Sequence, residues 1–247
     1  MTGTYNPLLV FVSALIAVLA SYTALDLAGR VAASQGSDRK IWLVGGAVAM
    51  GTGIWSMHFL AMLAFSLPIS ISYNFFLTVV SLLAAIGSSW LALSLVSRPR
   101  VNLSALLTGA TAMGCGIGIM HYTGMAAMEM TATIRYNPIL FLLSVALAVV
   151  ASLVALKLSL KFRRQTRMAS KVPQIVSAIV MGSAILLLHY TGMAAANFTV
   201  DYDRYIEASS FDTSAMAFSI ASFTFFILGA TLVVAANTAQ QQDFERR

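Results

Sequence analysis

The three histidines of the chain lie in three similar phrases, SMHFLAMLAF, IMHYTGMAAM and LLHYTGMAAA. Each is followed four residues later by a methionine, and the pairs are His58 and Met62, His121 and Met125, and His189 and Met193. On a helix this spacing puts imidazole and thioether on one face, about 6 Å apart along the axis. Imidazole binds copper, zinc, iron or nickel, whereas thioether is soft and selects Cu(I). The pattern predicts a copper site, with one ion or two left open.

Other residues recur at fixed distances from the histidines. Met57 and Met120 directly precede two of them, and Leu188 interrupts this pattern before the third. Glu129 and Asn197 both follow a histidine by eight residues. We interpret Met57, Met120, Glu129 and Asn197 as candidates that would contact and orient the metal ligands.

A glycine precedes each histidine by seven residues, at Gly51, Gly114 and Gly182. Seven residues fall about 20° from a whole number of helical turns, so each glycine is expected on the histidine face of its helix. Small residues on one face let membrane helices pack closely. This pattern predicts that helices 2, 4 and 6 form an inner trio.

The composition indicates that these elements lie in a membrane. Hydrophobic residues make up 59% of the 247 residues and charged residues only 10%, against about 25% charged in soluble domains. Apolar runs long enough to cross a bilayer predict an all-α membrane protein with seven transmembrane helices. The predicted spans are 7–27, 41–67, 73–96, 103–128, 137–161, 172–197 and 215–236.

The basic residues predict the orientation. Of the 15 Lys and Arg residues, all but Arg135 and Arg204 lie at or after the ends of helices 1, 3, 5 and 7. Positive charge collects on the cytosolic side of membrane proteins, so we expect the N-terminus outside and the C-terminus inside. The net charge of +6 is thereby explained by topology, and nucleic-acid binding is not expected. Asp26, four residues before Arg30 on helix 1, predicts an ion pair near the inner surface.

Three repeats organise the chain. The phrases YNPLLVF, YNFFLTV and YNPILFL open helices 1, 3 and 5 at Tyr5, Tyr73 and Tyr136. They divide a domain of residues 1–236 into parallel two-helix units at about 5–67, 73–130 and 136–198, followed by helix 7 at 215–236. Parallel units imply a pseudo-symmetry axis along the membrane normal. Residues 237–247 are polar and are predicted to be a cytosolic linker to a missing output domain.

The phrase MHYT at 120–123, with its partial copies MHFL and LHYT, resembles the motif of the bacterial MHYT integral-membrane sensor domain. The resemblance implies a copper-bound sensor of a diatomic gas such as O2, CO or NO, or of the metal itself, in the bacterial inner membrane. It also implies a cytosolic domain of the same chain that makes or degrades cyclic di-GMP. The sensor part itself is not expected to be an enzyme. The oligomeric state is left open, a homodimer included.

Three other interpretations remain at this stage. Methionines near the outer face also suit a copper uptake transporter, although no inner histidine or cysteine continues a path. Histidines at one depth on different helices are compatible with a haem-binding redox membrane protein. Hydrogen-bonded structural histidines are the third interpretation. Copper flux into vesicles and haem absorbance distinguish the first two.

The orientation is tested with reporter fusions after residues 35, 165 and 247. All three should report a cytosolic position because the basic residues flank these points. A periplasmic signal at residue 165 would overturn the orientation, since that loop carries most of the charge bias.

Overall fold

Seven helices lie within the part of the chain that the structure describes. The computed structural model describes residues 1–163, 171–201 and 213–245. The helices are α1 (Pro7–Ala33), α2 (Gly36–Leu63), α3 (Phe75–Val96), α4 (Leu103–Ala126), α5 (Pro138–Phe162), α6 (Val172–Ala195) and α7 (Thr213–Glu245). All seven are long and apolar enough to cross a membrane, which confirms the predicted all-α class.

The observed helix boundaries differ from the predicted spans at both ends of the bundle. The helices α2, α4 and α6 end two to four residues before the predicted limits of 67, 128 and 197, because the chain enters short strands there. Helix α7 continues past 236 to Glu245, so most of the predicted linker 237–247 is helical. Several arginines used in the orientation prediction lie outside the described residues: Arg164, Arg167, Arg204, Arg246 and Arg247.

Among the described residues, six short strands lie where outer loops were predicted, and the sequence did not predict them. They are β1 (Thr4–Tyr5), β2 (Phe65–Ser66), β3 (Ser72–Tyr73), β4 (Met128–Glu129), β5 (Ala132–Tyr136) and β6 (Ala196–Val200). They form the antiparallel pairs β1–β2, β3–β4 and β5–β6. Each pair joins the start of one predicted repeat unit to its end. We call this end of the bundle the strand end, and the opposite end the basic end.

The repeated YN phrase starts each odd helix. Asn6, Asn74 and Asn137 are the N-cap residues of α1, α3 and α5, and their side chains accept hydrogen bonds from free amides of the first turn. Such caps typically contribute about 1 kcal/mol. Their own backbone N–H groups donate to Ala64, Ala127 and Ala195, in each case at 2.8 Å. These bonds fix the start of each odd helix beside the end of the even helix of the same unit.

Helices α1 to α6 form a closed ring in chain order. Each packs mainly against its two neighbours, and α6 closes the ring on α1. The odd helices also contact one another, whereas the even helices come together at their histidines. The predicted inner trio of α2, α4 and α6 is therefore wrong, because odd and even helices alternate around one axis.

The three repeat glycines permit the close contact between even and odd helices. A Cβ on Gly51 or Gly114 would lie 2.5 Å from the Cα of Ile86 or Val149. A Cβ on Gly182 would lie 2.9 Å from the backbone nitrogen of Val18. These glycines thus contact the odd helix of the next unit, with α6 packing onto α1. They serve helix packing, as expected, but their partner is an odd helix.

Helix α7 packs outside the ring on α1 and α2. Arg30 of α1 donates to the carbonyl oxygen of Ala235 in α7. The Nε of Arg30 lies 2.7 Å from Asp26 Oδ2, which confirms the predicted ion pair. The guanidinium also lies 5.5 Å from the ring centre of Trp42 in α2. Arg30 therefore connects α1, α2 and α7 at the basic end.

Substitution of Gly114 by alanine should destabilise the bundle by about 1–3 kcal/mol, because the added methyl group has no space against the α5 backbone. The matched control is Gly87→Ala in α3, where nothing lies within 4 Å of the added Cβ. That variant should be neutral or more stable by about 0.5–1 kcal/mol, since alanine favours the helix. Thermal unfolding in nanodiscs measures both. Equal unfolding temperatures for the two variants would contradict the assigned contact.

Candidate metal centre

The three histidines meet on the axis of the bundle. The Nδ1 atom of His58 lies 3.0 Å from Nδ1 of His189 and 3.2 Å from Nδ1 of His121. The candidate ligand atoms of the three rings all lie within 4.8 Å of one another. Each side chain is 1% exposed. One fully buried cluster of three imidazoles therefore exists, contributed by one even helix of each unit.

The opposite side of each ring has no hydrogen-bond partner. The Nε2 atoms of all three histidines are buried and unpaired. A Cβ on Gly124 would overlap Nε2 of His58, and a Cβ on Gly192 would overlap Nε2 of His121. Each of these glycines follows a histidine by three residues, and Ala61 holds that place in the first unit. The small residues leave space for the ring of another unit and direct its Nδ1 toward the axis.

The three Nδ1 atoms cannot all satisfy one another. A neutral imidazole has one N–H, so at least two of the three converging Nδ1 atoms are alike, and either two lone pairs or two N–H groups must face each other. A metal ion accepts all three lone pairs. With metal–nitrogen bonds of about 2.0–2.1 Å, a trigonal site needs nitrogens about 3.5 Å apart. A small outward movement of the rings would create that separation.

The three methionines of the predicted pairs also come together. Met62, Met125 and Met193 are buried in one apolar cluster on the strand side of the histidines. The sequence analysis missed two further methionines of this cluster, Met128 and Met130. Both lie beyond the end of α4 at Ala126, where helical spacing from His121 no longer applies. A layer rich in thioethers thus covers the histidine cluster.

The four candidates for supporting roles do not gather at the site. Met57 packs in an apolar cluster with residues of α1 and α7, and Met120 packs in a different cluster with residues of α3 and α5. Glu129 Oε1 accepts from Asn74 Nδ2 at 3.0 Å, so it supports the cap of α3. Asn197 is exposed in β6. Spacing along one helix was insufficient here because Glu129 and Asn197 lie after the helix ends.

The residues that follow the histidines pack against the tyrosines of the YN phrases. The ring centres of Phe59 and Tyr73 lie 4.9 Å apart, those of Tyr122 and Tyr136 5.2 Å, and those of Tyr190 and Tyr5 5.6 Å. Burial raises the pKa of Tyr5 and the pKa of Tyr136 to about 12, and it also raises the pKa of Tyr73. These phenols stay protonated at neutral pH, so they enclose the site as neutral aromatic groups.

The distances between the histidine rings test whether a haem could be held between two of them. The ring centres of the histidines lie 4.8, 5.1 and 5.2 Å apart. A porphyrin held between two axial histidines must separate their rings by two metal–nitrogen bonds, and no such gap exists in this cluster. The site fits a single ion and does not fit a macrocycle.

A seven-helix membrane bundle with a buried histidine cluster describes the class of protein, and comparison with known proteins gives its family. The profile described as the bacterial signalling protein N-terminal repeat, MHYT, matches residues 51–109 and 114–171. The chain belongs to this family of bacterial signalling proteins and is a multi-pass membrane protein. The family repeat runs from one even helix into the following odd helix, so its phase is offset from the units defined above. No solved structure matches the chain.

Similar proteins extend the match over nearly the whole chain. The bifunctional diguanylate cyclase/cyclic di-GMP phosphodiesterase MucR of Pseudomonas aeruginosa is 45% identical over 95% of this chain and 34% of its own length. The cyclic di-GMP phosphodiesterase NbdA of the same organism and the signaling protein YkoW of Bacillus subtilis are each 42% identical over 80% of this chain and 25% of their own lengths. The chain spans a third or less of these relatives. It corresponds to their MHYT sensor domain, and their enzymatic parts lie outside the matched region.

Substitution of Gly124 by alanine should lower metal binding although it removes no donor atom, because the added methyl group displaces the His58 ring. We expect a loss of about 10- to 100-fold in affinity, the range found for residues that orient metal ligands. The control is Gly118→Ala in the same helix, where the added Cβ meets only Val145 Cγ2 at 3.8 Å. Metal titration of both purified variants provides the measurement. Full affinity in Gly124→Ala would refute the role given to this glycine.

Proposed function

We propose that this protein is a copper-binding sensory input domain of a bacterial inner-membrane signalling protein. The copper ion is held by His58, His121 and His189, with Met62, Met125 and Met193 as the softer ligand layer. The domain responds to a diatomic gas such as O2, CO or NO, or to copper itself. The observation that carries this proposal is the convergence of three buried histidines, whose Nδ1 atoms contact one another at the axis, beside a buried thioether layer.

Copper fits this donor set better than zinc. Among the described residues, the cluster able to hold a metal consists of three histidines and includes no carboxylate or thiolate. The desolvation cost of an ion grows with the square of its charge, so Cu(I) is less costly than Zn²⁺ where all the ligands are neutral. Cu(I) also binds thioether sulfur, whereas carboxylates suit magnesium and calcium. The number of copper ions bound per protein decides whether the thioether layer completes the histidine site or holds a second ion.

A sensory role is favoured over copper uptake by what lies on the axis beyond the histidines. Isoleucines occupy the position four residues before each histidine, at Ile54, Ile117 and Ile185. All three line the centre of the bundle on the basic side of the site. This branched apolar layer offers no donor to a passing cation, and the next donors on the axis, the thioethers of Met50, Met113 and Met181, lie about one helical turn further away. Copper held at the histidines is thus suited to remain there and to bind a further ligand.

Helix α7 provides a path from the site to the output domain. Thr224 of α7 donates to Ser56 Oγ at 2.6 Å, and Ser56 lies two residues before His58 in α2. At the basic end the same helix accepts a hydrogen bond from Arg30 through the Ala235 carbonyl. A movement of α2 on metal or gas binding would therefore displace α7. With the N-terminus outside, α7 would carry this displacement into the cytosol.

The output proposed for the whole protein is the turnover of cyclic di-GMP by a cytosolic domain of the same chain. Two of the relatives carry names that include cyclic di-GMP phosphodiesterase activity, and one of these also carries diguanylate cyclase activity. Helix α7, helical as far as Glu245, would lead directly into that domain. A homodimer is the proposed form, because a pair of α7 helices can change register or angle without unfolding. Cross-linking of introduced cysteines in α7 tests that form.

The triple variant His58→Ala, His121→Ala, His189→Ala should contain no bound copper while keeping its fold, since alanine suits any membrane helix. The triple change of Met62, Met125 and Met193 to leucine should weaken Cu(I) more than Cu(II), by about tenfold or more, equivalent to about 1.4 kcal/mol. Elemental analysis and competition titrations measure these effects. In the full-length protein the histidine variant should lose stimulation by gas or copper and keep its basal enzymatic activity.

Two results would count against these assignments in different ways. Undiminished copper content in the histidine variant would show that copper binds elsewhere. Normal stimulation of a copper-free protein would leave the ligands in place but eliminate the sensory role. Met57→Leu is the matched control, because Met57 packs between α2, α1 and α7 and should leave copper binding unchanged.

A further inference from the structure

A cavity of about 40 Å³ lies in the centre of the bundle on the basic side of the histidines. Residues from all six helices of the ring line it. Leu188, adjacent to His189 in the chain, is part of this wall, and the isoleucines one helical turn from the histidines also line it, so the cavity lies within about one turn of the histidine layer. It extends about two helical turns toward the basic end, to the level of Met50.

The cavity wall repeats the threefold arrangement of the histidines. On the even helices, the isoleucines four residues before each histidine form one layer of the wall, and the methionines eight residues before form the next, at Met50, Met113 and Met181. On the odd helices, an alanine lies 19 residues after the tyrosine of each YN phrase, at Ala24, Ala92 and Ala155. Because all three units supply the same residue types, the cavity is a feature of the repeat and not a local packing fault.

Two serine hydroxyls in the wall have no partner. Ser21 and Ser152 are 3% and 1% exposed, and their Oγ atoms make no hydrogen bond. Ser89, the equivalent residue of the second unit, is likewise buried and unpaired. Other buried helical serines of this bundle donate to their own helix, as Ser13 does to the Val10 carbonyl at 2.7 Å. The unpaired hydroxyls remain available to a guest.

We propose that this cavity is a binding site for a neutral, apolar molecule of two heavy atoms. The size sets an upper limit of about three heavy atoms, since the volume is about 40 Å³ and a single water needs about 10–15 Å³ by the same measure. The alanine, isoleucine and methionine wall disfavours ions, because the described lining residues carry no charge. A weak acceptor such as O2, CO or NO can take a hydrogen bond from Ser21 or Ser152 without the two to four polar partners that a buried water needs.

The position of the cavity near the proposed metal site indicates what a bound guest would do there. A guest there lies within about one helical turn of the histidine layer, on the side opposite the thioether layer, so it can approach an ion from the face that protein ligands leave open. This role rests on the proposed copper site, whereas guest binding itself does not. The cavity is therefore assigned as the access site from which a diatomic ligand approaches the metal.

The experiment uses variants that fill the cavity, with probes that separate the two claims. Ala24→Leu and Ala155→Leu place larger side chains into the space, and Ala146→Leu on the exposed face of α5 is the matched control. Xenon binding to metal-free protein in nanodiscs is followed by xenon NMR. Carbon monoxide binding to the Cu(I)-loaded protein is followed by infrared spectroscopy. A third variant combines Ser21→Ala with Ser152→Ala. It leaves the cavity volume nearly unchanged and is expected to fold even if the two leucine variants do not.

The wild type and Ala146→Leu should bind xenon, and the two filled variants should not. Carbon monoxide association in the filled variants should slow by about tenfold or more, as an added barrier of about 1.4 kcal/mol produces. The double serine variant should keep its xenon binding.

If xenon bound only after both serines were removed, water would be the native occupant and the proposal would fail. Unchanged xenon or carbon monoxide binding in filled, folded variants would also overturn it. Absence of copper with the expected xenon pattern would refute the metal site and still support the cavity.

Discussion

The main constraint on the fold is that it must hold three imidazoles in contact in a region without water. Their Nδ1 atoms lie 3.0 and 3.2 Å apart along two of the three pairs, and their Nε2 atoms have no partner. Unsatisfied polar atoms in an apolar interior cost free energy. A cation bound by the three Nδ1 lone pairs would remove the contact of like groups at the axis, whereas the three Nε2–H groups would remain unpaired. The glycines three residues after two of the histidines serve this contact, because any larger residue would displace the rings.

The three repeat units pack around this cluster as a closed ring, each unit contacting the next. The glycine of one unit contacts the odd helix of the next, and the aromatic residue after each histidine contacts the tyrosine of the next unit. The third unit closes on the first through Gly182 with Val18 and through Tyr190 with Tyr5. Strand pairs then join the two ends of each unit. Because every contact advances by one unit, three units close a ring, and α7 remains outside to connect that ring with the rest of the protein.

Polar groups within the bundle serve a few defined purposes. Trp55 donates to Ser81 at 3.0 Å, and Tyr122 bonds to Ser144 at 2.5 Å, so equivalent serines hold neighbouring even helices. Arg30 and Thr224 connect α7 to the ring at two depths. The serines at the cavity are unlike these because they hold nothing within the protein. This contrast separates the polar groups that stabilise the fold from those that are free to meet a guest.

The sequence by itself determined the seven helices, the three units and the histidines as the centre of the site, because hydropathy and spacing are properties of single helices. His58, His121 and His189 were expected to converge since each occupies the same place in its unit. The neighbours of each helix were decided only by the tertiary structure: Gly51 faces α3 and not an inner trio, Met130 joins the thioether layer from beyond a helix end, and Ser21 and Ser152 face an empty space. Helical spacing fixes the face on which a side chain lies, but the group opposite that face depends on how all six ring helices pack together.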